Sequence, residues 1–182
     1  MESILAFDNG LLLYIQENLR SAFLDGVIPI ITALGDYGLI WLLCIGVLLC
    51  RKETRQTGLG MLIALALALV IGNFCLKPLV ARSRPVIDAL VTQPLPGIRP
   101  PDTFSFPSGH TGSSVGAAVA LWIGNHKWGT AAIVLALLIS FSRLYLCVHY
   151  PTDVLVSILL GILYGVAGQW LAKKIMEKVQ MG

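Results

Sequence analysis

Apolar runs of membrane-spanning length recur along this 182-residue chain, and they constrain its fold more than any other feature. The clearest runs cover residues 58–76, 111–124, 130–147 and 154–171, and polar residues bound each of them. A helix needs about 20 apolar residues to cross a hydrocarbon core about 30 Å thick. Charged residues make up 13% of the chain, whereas a soluble domain carries roughly 25%. The sequence therefore predicts an integral membrane protein.

Two further apolar segments, residues 22–34 and 39–50, flank a polar cluster nearer the N-terminus. It stays open whether the first 36 residues contribute a full span. The apolar side chains within residues 1–20 are spaced as on an amphipathic helix that lies at the membrane interface. We predict an all-α fold, a polytopic membrane helix bundle of five or six transmembrane helices, in a single domain over residues 1–182.

Residues 85–107 interrupt this pattern, because they contain six of the nine prolines. Proline at that density excludes a regular helix. Irregular backbone cannot face lipid, since its polar groups would be unsatisfied. We therefore predict an extramembrane loop over residues 85–107, and how this loop gates a site is left open.

Three segments place unusual polar residues at the ends of apolar runs, namely residues 77–85, 106–110 and 142–153. Alternating spans put all three segments on the same side of the bilayer. Charged groups at membrane depth are costly and usually mark function. We expect the following side chains to converge in one pocket: Lys77, Arg84, Ser108, His110, Arg143, His149 and Asp153.

The basic residues of this set suit the binding of a phosphoryl group. Arg84 and Arg143 can offer planar forks that match phosphate oxygens, and Lys77 adds a third positive charge. The turn at residues 108–110 opens a helix, where unpaired N–H groups and the positive end of the helix dipole favour an anion. Phosphoryl transfer depends mainly on positioning and on electrostatic stabilisation of this kind.

The two histidines can divide the remaining chemistry. One can attack phosphorus and form a covalent intermediate, while the other protonates the leaving oxygen. Asp153 follows His149 by four residues and can hold its imidazole in one tautomer. Few carboxylates accompany the histidines, so we expect metal-independent chemistry, with no metal site and no cofactor.

In these residues the chain resembles the type 2 phosphatidic acid phosphatase family, which shares its site with vanadium haloperoxidases and bacterial acid phosphatases. The family motifs are Lys, six residues, Arg-Pro; then Pro-Ser-Gly-His; then Ser-Arg, five residues, His, three residues, Asp. All three occur here without a departure. The resemblance implies that His149 is the nucleophile, His110 the general acid and Asp153 the partner of His149. It also implies phosphate binding by five residues: Lys77, Arg84, Ser108, Gly109 and Arg143.

The basic residues also indicate an orientation. Seven fall on the side of the C-terminus, and five fall on the other side, where they cluster at the predicted site. Arg20 is left out, because the path of the first segment is open. The positive-inside rule then places the C-terminus inside. We expect a multi-pass protein of the cell membrane with its site on the extracytoplasmic face. Outside the motifs, Arg82 is expected to extend to the interface, and Asp36 to be a loop or cap residue.

These features predict a membrane phosphatase that hydrolyses a lipid phosphate or diphosphate through a phosphohistidine. Undecaprenyl diphosphate is the first expectation, because a small chain with an outward-facing site suits recycling of a carrier lipid. The alternatives are a phosphatidylglycerophosphate or phosphatidic acid phosphatase, a lipid phosphotransferase, and a non-enzymatic lipid-phosphate binder. The motifs recognise only phosphate, so the lipid stays open, as does the oligomeric state. No nucleic acid partner is expected.

Overall fold

The computed structural model describes residues 2–85 and 103–181, with the backbone alone for residues 179–181. A 3-10 helix at Asp36–Gly38 separates the second and third α-helices, and a π-helical stretch at Ala68–Leu76 precedes the fifth. No strand occurs within the described residues, and the predicted all-α helix bundle is confirmed. The eight α-helices of the described residues are α1 (Glu2–Asn18), α2 (Ala22–Leu34), α3 (Leu39–Leu49), α4 (Arg55–Leu67), α5 (Lys77–Val80), α6 (Gly109–Gly124), α7 (His126–Tyr145) and α8 (Pro151–Met181).

Three helical segments have the length and composition needed to cross a membrane: Arg55–Val80, His126–Tyr145 and Pro151–Lys178. The α2–α3 pair meets the same requirement only when its two helices, bent by 46°, count as one span. The predicted number of five or six spans is therefore not confirmed. Most of the predicted loop, residues 86–102, lies outside the described residues.

The bend between α2 and α3 arises in the Gly35-Asp36-Tyr37-Gly38 cluster. Tyr37 and Gly38 adopt left-handed backbone angles, with φ of 53° and 68°, which no α-helix can continue. A Cβ atom at Gly35 would lie 2.7 Å from the His110 ring, so only glycine allows the end of α2 to approach α6 this closely. The cluster therefore brings Asp36 to the start of α6.

Small residues hold the centre of the bundle, where α6 packs against α4, α7 and α8. Ala64, Ala117 and Ala120 are fully buried there. A Cβ atom at Gly168 of α8 would lie 2.4 Å from the carbonyl oxygen of Gly60, so α4 and α8 touch through their backbones. Close approach through small residues is typical of helix packing in membranes. It holds the first turn of α6 beside the first turn of α8.

Helix α1 packs against the ends of α7 and α8 at this same end of the bundle. Its buried residues are Asp8, Leu12 and Ile15, one face of the helix. The Gln16 amide donates a hydrogen bond to the carbonyl of Tyr145, the last residue of α7, at 2.9 Å. The helical state of residues 2–18 agrees with the sequence, while their interfacial location stays a prediction.

Candidate active site

Arg84 connects the segment that follows α5 with the turn between α7 and α8, and it is only 2% exposed. Its Nε and Nη2 atoms donate to the carbonyl and hydroxyl of Thr103, at 2.7 and 3.1 Å. Nη2 also donates to the Phe104 carbonyl, and Nη1 donates to the Val148 carbonyl at 2.6 Å. All of these acceptors are neutral oxygens. In residues 2–85 and 103–178, no carboxylate lies within 4.0 Å of this guanidinium.

His149 lies in the turn between α7 and α8, and it is also 2% exposed. Its Nε2 atom lies 3.3 Å from Nη1 of Arg84. A guanidinium can only donate, so Nε2 accepts there and the proton of the neutral ring resides on Nδ1. Burial lowers the pKa of His149 below its usual value, while the nearby Asp153 carboxylate opposes this. The ring is therefore neutral, with a lone pair on Nε2.

Asp153 is fully buried in the first turn of α8, and its Oδ2 atom lies 3.7 Å from Nδ1 of His149. Oδ2 accepts a hydrogen bond from the Tyr150 backbone N–H at 3.0 Å. Oδ1 accepts from Arg82 at 2.6 Å, and Arg82 also donates to Asp8 at 2.6 Å. Arg82 thus does more than extend toward the interface, because it pairs with two buried carboxylates.

His110, in the first turn of α6, pairs with Asp36. Its Nε2 atom donates to Oδ1 of Asp36 at 2.8 Å, and the Asp36 side chain is 52% exposed. Burial and the Arg143 guanidinium lower the pKa of His110 to about 4, and the Asp36 carboxylate opposes them. Asp36 thus does more than occupy a loop, because it binds the second predicted catalytic histidine.

Arg143 and Lys77 place further positive charge at this end. Arg143 is buried in the last turn of α7 and donates from Nη1 to the Thr32 hydroxyl at 2.5 Å. Its Nε atom is buried and has no hydrogen-bond partner among the residues described. Lys77 lies within electrostatic reach of Arg84, Arg143 and Asp153. A buried cation such as Arg143 is costly unless an anion joins it.

Ser108 and Gly109 form the start of α6. The Ser108 hydroxyl caps the helix by accepting from Thr111, at 3.4 Å from its N–H and 3.0 Å from its hydroxyl. The Ser108 backbone N–H donates to the Ser157 hydroxyl at 2.8 Å, and that hydroxyl donates to the Asp153 carbonyl. The first N–H groups of a helix have no partner inside it, so the turn that begins at Gly109 can bind an anion.

The structure thus gathers every predicted site residue at one end of the bundle: Lys77, Arg84, Ser108, Gly109, His110, Arg143, His149 and Asp153. The contacts of Asp8, Arg82 and Ser157 at this end were not predicted from the sequence. A carboxylate on the apolar face of α1 is the signal that could have found Asp8. Within the described parts of the chain, no group of three or more His, Cys, Asp or Glu side chains could hold a metal ion.

The sequence model of the PAP2 superfamily matches residues 57–177, more than half of the chain. The chain belongs to the PAP2 superfamily. This confirms the family predicted from the three motifs. The match begins after α3, so α1 and its Asp8 lie outside the matched region.

Similar proteins in this superfamily include a curated relative and two solved structures. The undecaprenyl-diphosphatase of Sulfolobus acidocaldarius is 33% identical over 145 residues, which cover 77% of this chain and 66% of that protein. A PAP2-type phosphatidylglycerolphosphate phosphatase of Bacillus subtilis gives a TM-score of 0.71 at 28% identity, over 98% of this chain and 89% of that one. Aquifex aeolicus LpxE gives a TM-score of 0.66 at 26% identity, over 89% of this chain and 94% of that one. The chain therefore spans just under two thirds of the length of the curated relative.

Proposed function

We propose that this PAP2 protein is a lipid phosphatase that transfers the phosphoryl group of its substrate to His149 and then to water. The observation that carries the proposal is the pair of buried guanidinium groups, Arg84 and Arg143. Neither has a carboxylate within 4.0 Å in the described part of the chain. A buried charge needs a counter-charge, and a phosphate group beside Nε2 of His149 would supply it.

The first step is attack of Nε2 of His149 on phosphorus. The bond from nitrogen to phosphorus forms while the bond from phosphorus to the leaving oxygen breaks. His110 gives its proton to that oxygen, so the lipid leaves as a neutral alcohol or as a protonated phosphate. The Nδ1–H of His149 faces Asp153, whose charge stabilises the positive charge that develops on the ring.

The second step is hydrolysis of the phosphohistidine. A water molecule attacks phosphorus, the bond from nitrogen to phosphorus breaks, and His110 now accepts a proton from the water. Arg84, Arg143, Lys77 and the first N–H groups of α6 stabilise the negative charge on the equatorial oxygens in both steps. Before the first step, Arg84 must exchange its contact with Nε2 of His149 for a phosphate oxygen.

The substrate class follows from the membrane setting and from the names of the similar proteins. These names refer to an undecaprenyl diphosphate and to a phosphatidylglycerolphosphate, and each of these compounds joins phosphate to a long apolar group. Undecaprenyl diphosphate stays our first candidate, and phosphatidylglycerophosphate is the second. We place the protein in the cell membrane with the site on the extracytoplasmic face, because the C-terminal end of the bundle carries more basic residues.

Phosphate release by the purified full chain in detergent tests the proposal. Undecaprenyl diphosphate, phosphatidylglycerophosphate and phosphatidic acid are compared, with EDTA present and with His149→Ala in parallel. The matched control is His126→Ala, which replaces an exposed histidine at the opposite end of α6. We expect phosphate release that EDTA does not inhibit, that His126→Ala retains and that His149→Ala lacks. Folded wild-type protein that releases phosphate from none of the lipids would contradict the proposal.

Trapping the intermediate separates hydrolysis from simple binding. Enzyme quenched with labelled substrate should carry acid-labile phosphate in the wild type and in His126→Ala, and none in His149→Ala. If an added lipid alcohol removes the label faster than water does, the alternative of a lipid phosphotransferase is correct. Labelled protein in His149→Ala would place the nucleophile elsewhere.

A further inference from the structure

We propose that Asp8 is a positioning residue for the phosphoryl transfer: by pairing with Arg82, it leaves the negative charge of Asp153 available to His149. The inference rests on the proposed function of the same site. It assigns a role to a residue of α1, which lies outside the residues that the superfamily's sequence model matches.

Asp8 has no exposed surface, and both of its carboxylate oxygens accept hydrogen bonds. Oδ2 accepts from Arg82 at 2.6 Å and from the Thr152 hydroxyl at 2.6 Å. Oδ1 accepts from the Thr152 backbone N–H at 2.9 Å. A buried carboxylate that accepts hydrogen bonds from three donors is fixed in place. Asp8 therefore fastens α1 to the first turn of α8, one residue before Asp153.

Arg82 is shared between this carboxylate and Asp153. Nη2 binds Asp8, whereas Nη1 binds Oδ1 of Asp153 at 2.6 Å and the Thr152 hydroxyl at 2.8 Å. The guanidinium also lies over the Tyr150 ring, 3.9 Å from its centre. These contacts fix the direction from which Arg82 acts on Asp153.

The charges decide what Asp8 does. Asp8, Arg82 and Asp153 together carry one net negative charge, and Asp153 presents it to Nδ1 of His149 at 3.7 Å. Without the Asp8 charge the group would be neutral, because Arg82 would cancel Asp153. His149 becomes positive only as the bond to phosphorus forms, so the loss would fall on the transition state. Such a loss lowers kcat and leaves KM nearly unchanged.

A purely structural role for Asp8 makes a different prediction. Loss of a clamp between α1 and α8 would disturb the whole site, so kcat and KM would change together. On that structural role, removing Arg82 as well would lower the activity further. On the charge argument, a second substitution that removes the Arg82 charge restores one net negative charge on Asp153 and recovers activity. The two roles are therefore separable in a double-mutant cycle.

The experiment uses the full chain in detergent with whichever of undecaprenyl diphosphate and phosphatidylglycerophosphate the wild type hydrolyses. We expect Asp8→Asn to lower kcat by about 10- to 100-fold with KM within about threefold. The double variant Asp8→Asn with Arg82→Gln should have a kcat at least about threefold higher than that of Asp8→Asn alone. The matched control is Glu17→Gln, which removes an exposed carboxylate from the same helix and should match the wild type.

Each result decides the inference. A folded Asp8→Asn protein with wild-type kcat overturns it, as does a folded double variant less active than Asp8→Asn. If Asp8→Asn does not fold, the charge-balanced double variant decides: kcat within about tenfold of wild type supports the inference, and a lower kcat or a failure to fold overturns it. Wild-type protein that releases no phosphate would instead refute the proposed function, so the two failures are distinguishable.

Discussion

The Arg84 guanidinium lies 3.3 Å from Nε2 of His149, and both side chains are almost fully buried. The atom proposed to attack phosphorus therefore faces the group proposed to hold a phosphate oxygen. Four oxygen atoms, on Thr103, Phe104 and Val148, fix the guanidinium in this place. A phosphate that binds Arg84 is thereby brought to the lone pair of the histidine. This preorganisation of nucleophile and ligand is the main contribution of the fold to the proposed reaction.

Replacement of Arg84 by lysine should nearly abolish activity although the charge is kept. Lysine cannot reproduce a planar fork that serves Thr103, Val148 and phosphate together. We expect kcat/KM to fall by about 100-fold or more, equivalent to about 3 kcal/mol of transition-state stabilisation. Steady-state phosphate release measures this. Arg51→Lys, at an exposed position on the loop after α3, should match the wild type, and an equally active Arg84→Lys would show that only the charge matters.

The role of His110 as general acid predicts a dependence on the leaving group. A leaving oxygen that is already stable as an anion needs no proton, so loss of the acid costs less. His110→Ala should therefore lose at least about 100-fold in kcat/KM with phenyl phosphate and clearly less with p-nitrophenyl phosphate. The two aryl phosphates are compared in the same detergent solution. An equal loss with both would mean that His110 only binds phosphate.

The Asp36–His110 pair predicts a shift in pH dependence. His110 must be in its positively charged, protonated form to act as an acid. Burial and Arg143 lower the pKa of His110, and the Asp36 carboxylate raises it. Asp36→Asn removes this support, so the pKa of His110 falls further. The alkaline limb of the kcat profile should then move to lower pH by about one unit. The control is Glu53→Gln, at an exposed position at the opposite end of the bundle, which should leave the profile unchanged. If the alkaline limb does not move in Asp36→Asn, Asp36 does not support the protonation of His110.

The motif residues could be predicted from the sequence because each of them lies at the end of an apolar run. Alternation of the spans then requires one common side, and the structure gathers Lys77, Arg84, His110, Arg143 and His149 there. The His149–Asp153 pair could also be predicted, because four residues separate the two, whereas contacts between distant segments could not. Such distant contacts depend on how tightly the helices approach, which is a property of the packed bundle.

The carboxylate partners show why the rest could not be predicted. Asp8 meets Arg82 across 74 residues of sequence, and Asp36 meets His110 across the same separation. Both contacts depend on the path of the first 36 residues, which composition leaves open. The same uncertainty affected the number of spans, because a 46° bend decides whether α2 and α3 count as one.

The backbone contact between α4 and α8 predicts a stability difference between two glycines. A Cβ atom at Gly168 would lie 2.4 Å from the Gly60 carbonyl oxygen, so Gly168→Ala must push the helices apart. We expect a loss of about 1–3 kcal/mol and a lower Tm in detergent. Gly46→Ala is the control, since its Cβ atom would meet no atom within 4 Å. It should keep or slightly raise the Tm, and equal Tm values for both variants would contradict the close packing.

The side of the membrane that the site faces can be read from two positions. Tyr37 is fully exposed and adjoins Asp36, the partner of His110, whereas Lys52 lies on the loop between α3 and α4. That loop is at the other end of α6, since Thr57 contacts Gly124. In a variant without the four native cysteines, an impermeant thiol reagent should label Tyr37→Cys in intact cells and Lys52→Cys only after lysis. The reverse pattern would place the site on the cytoplasmic face, because both residues are tied to opposite ends of the same helix.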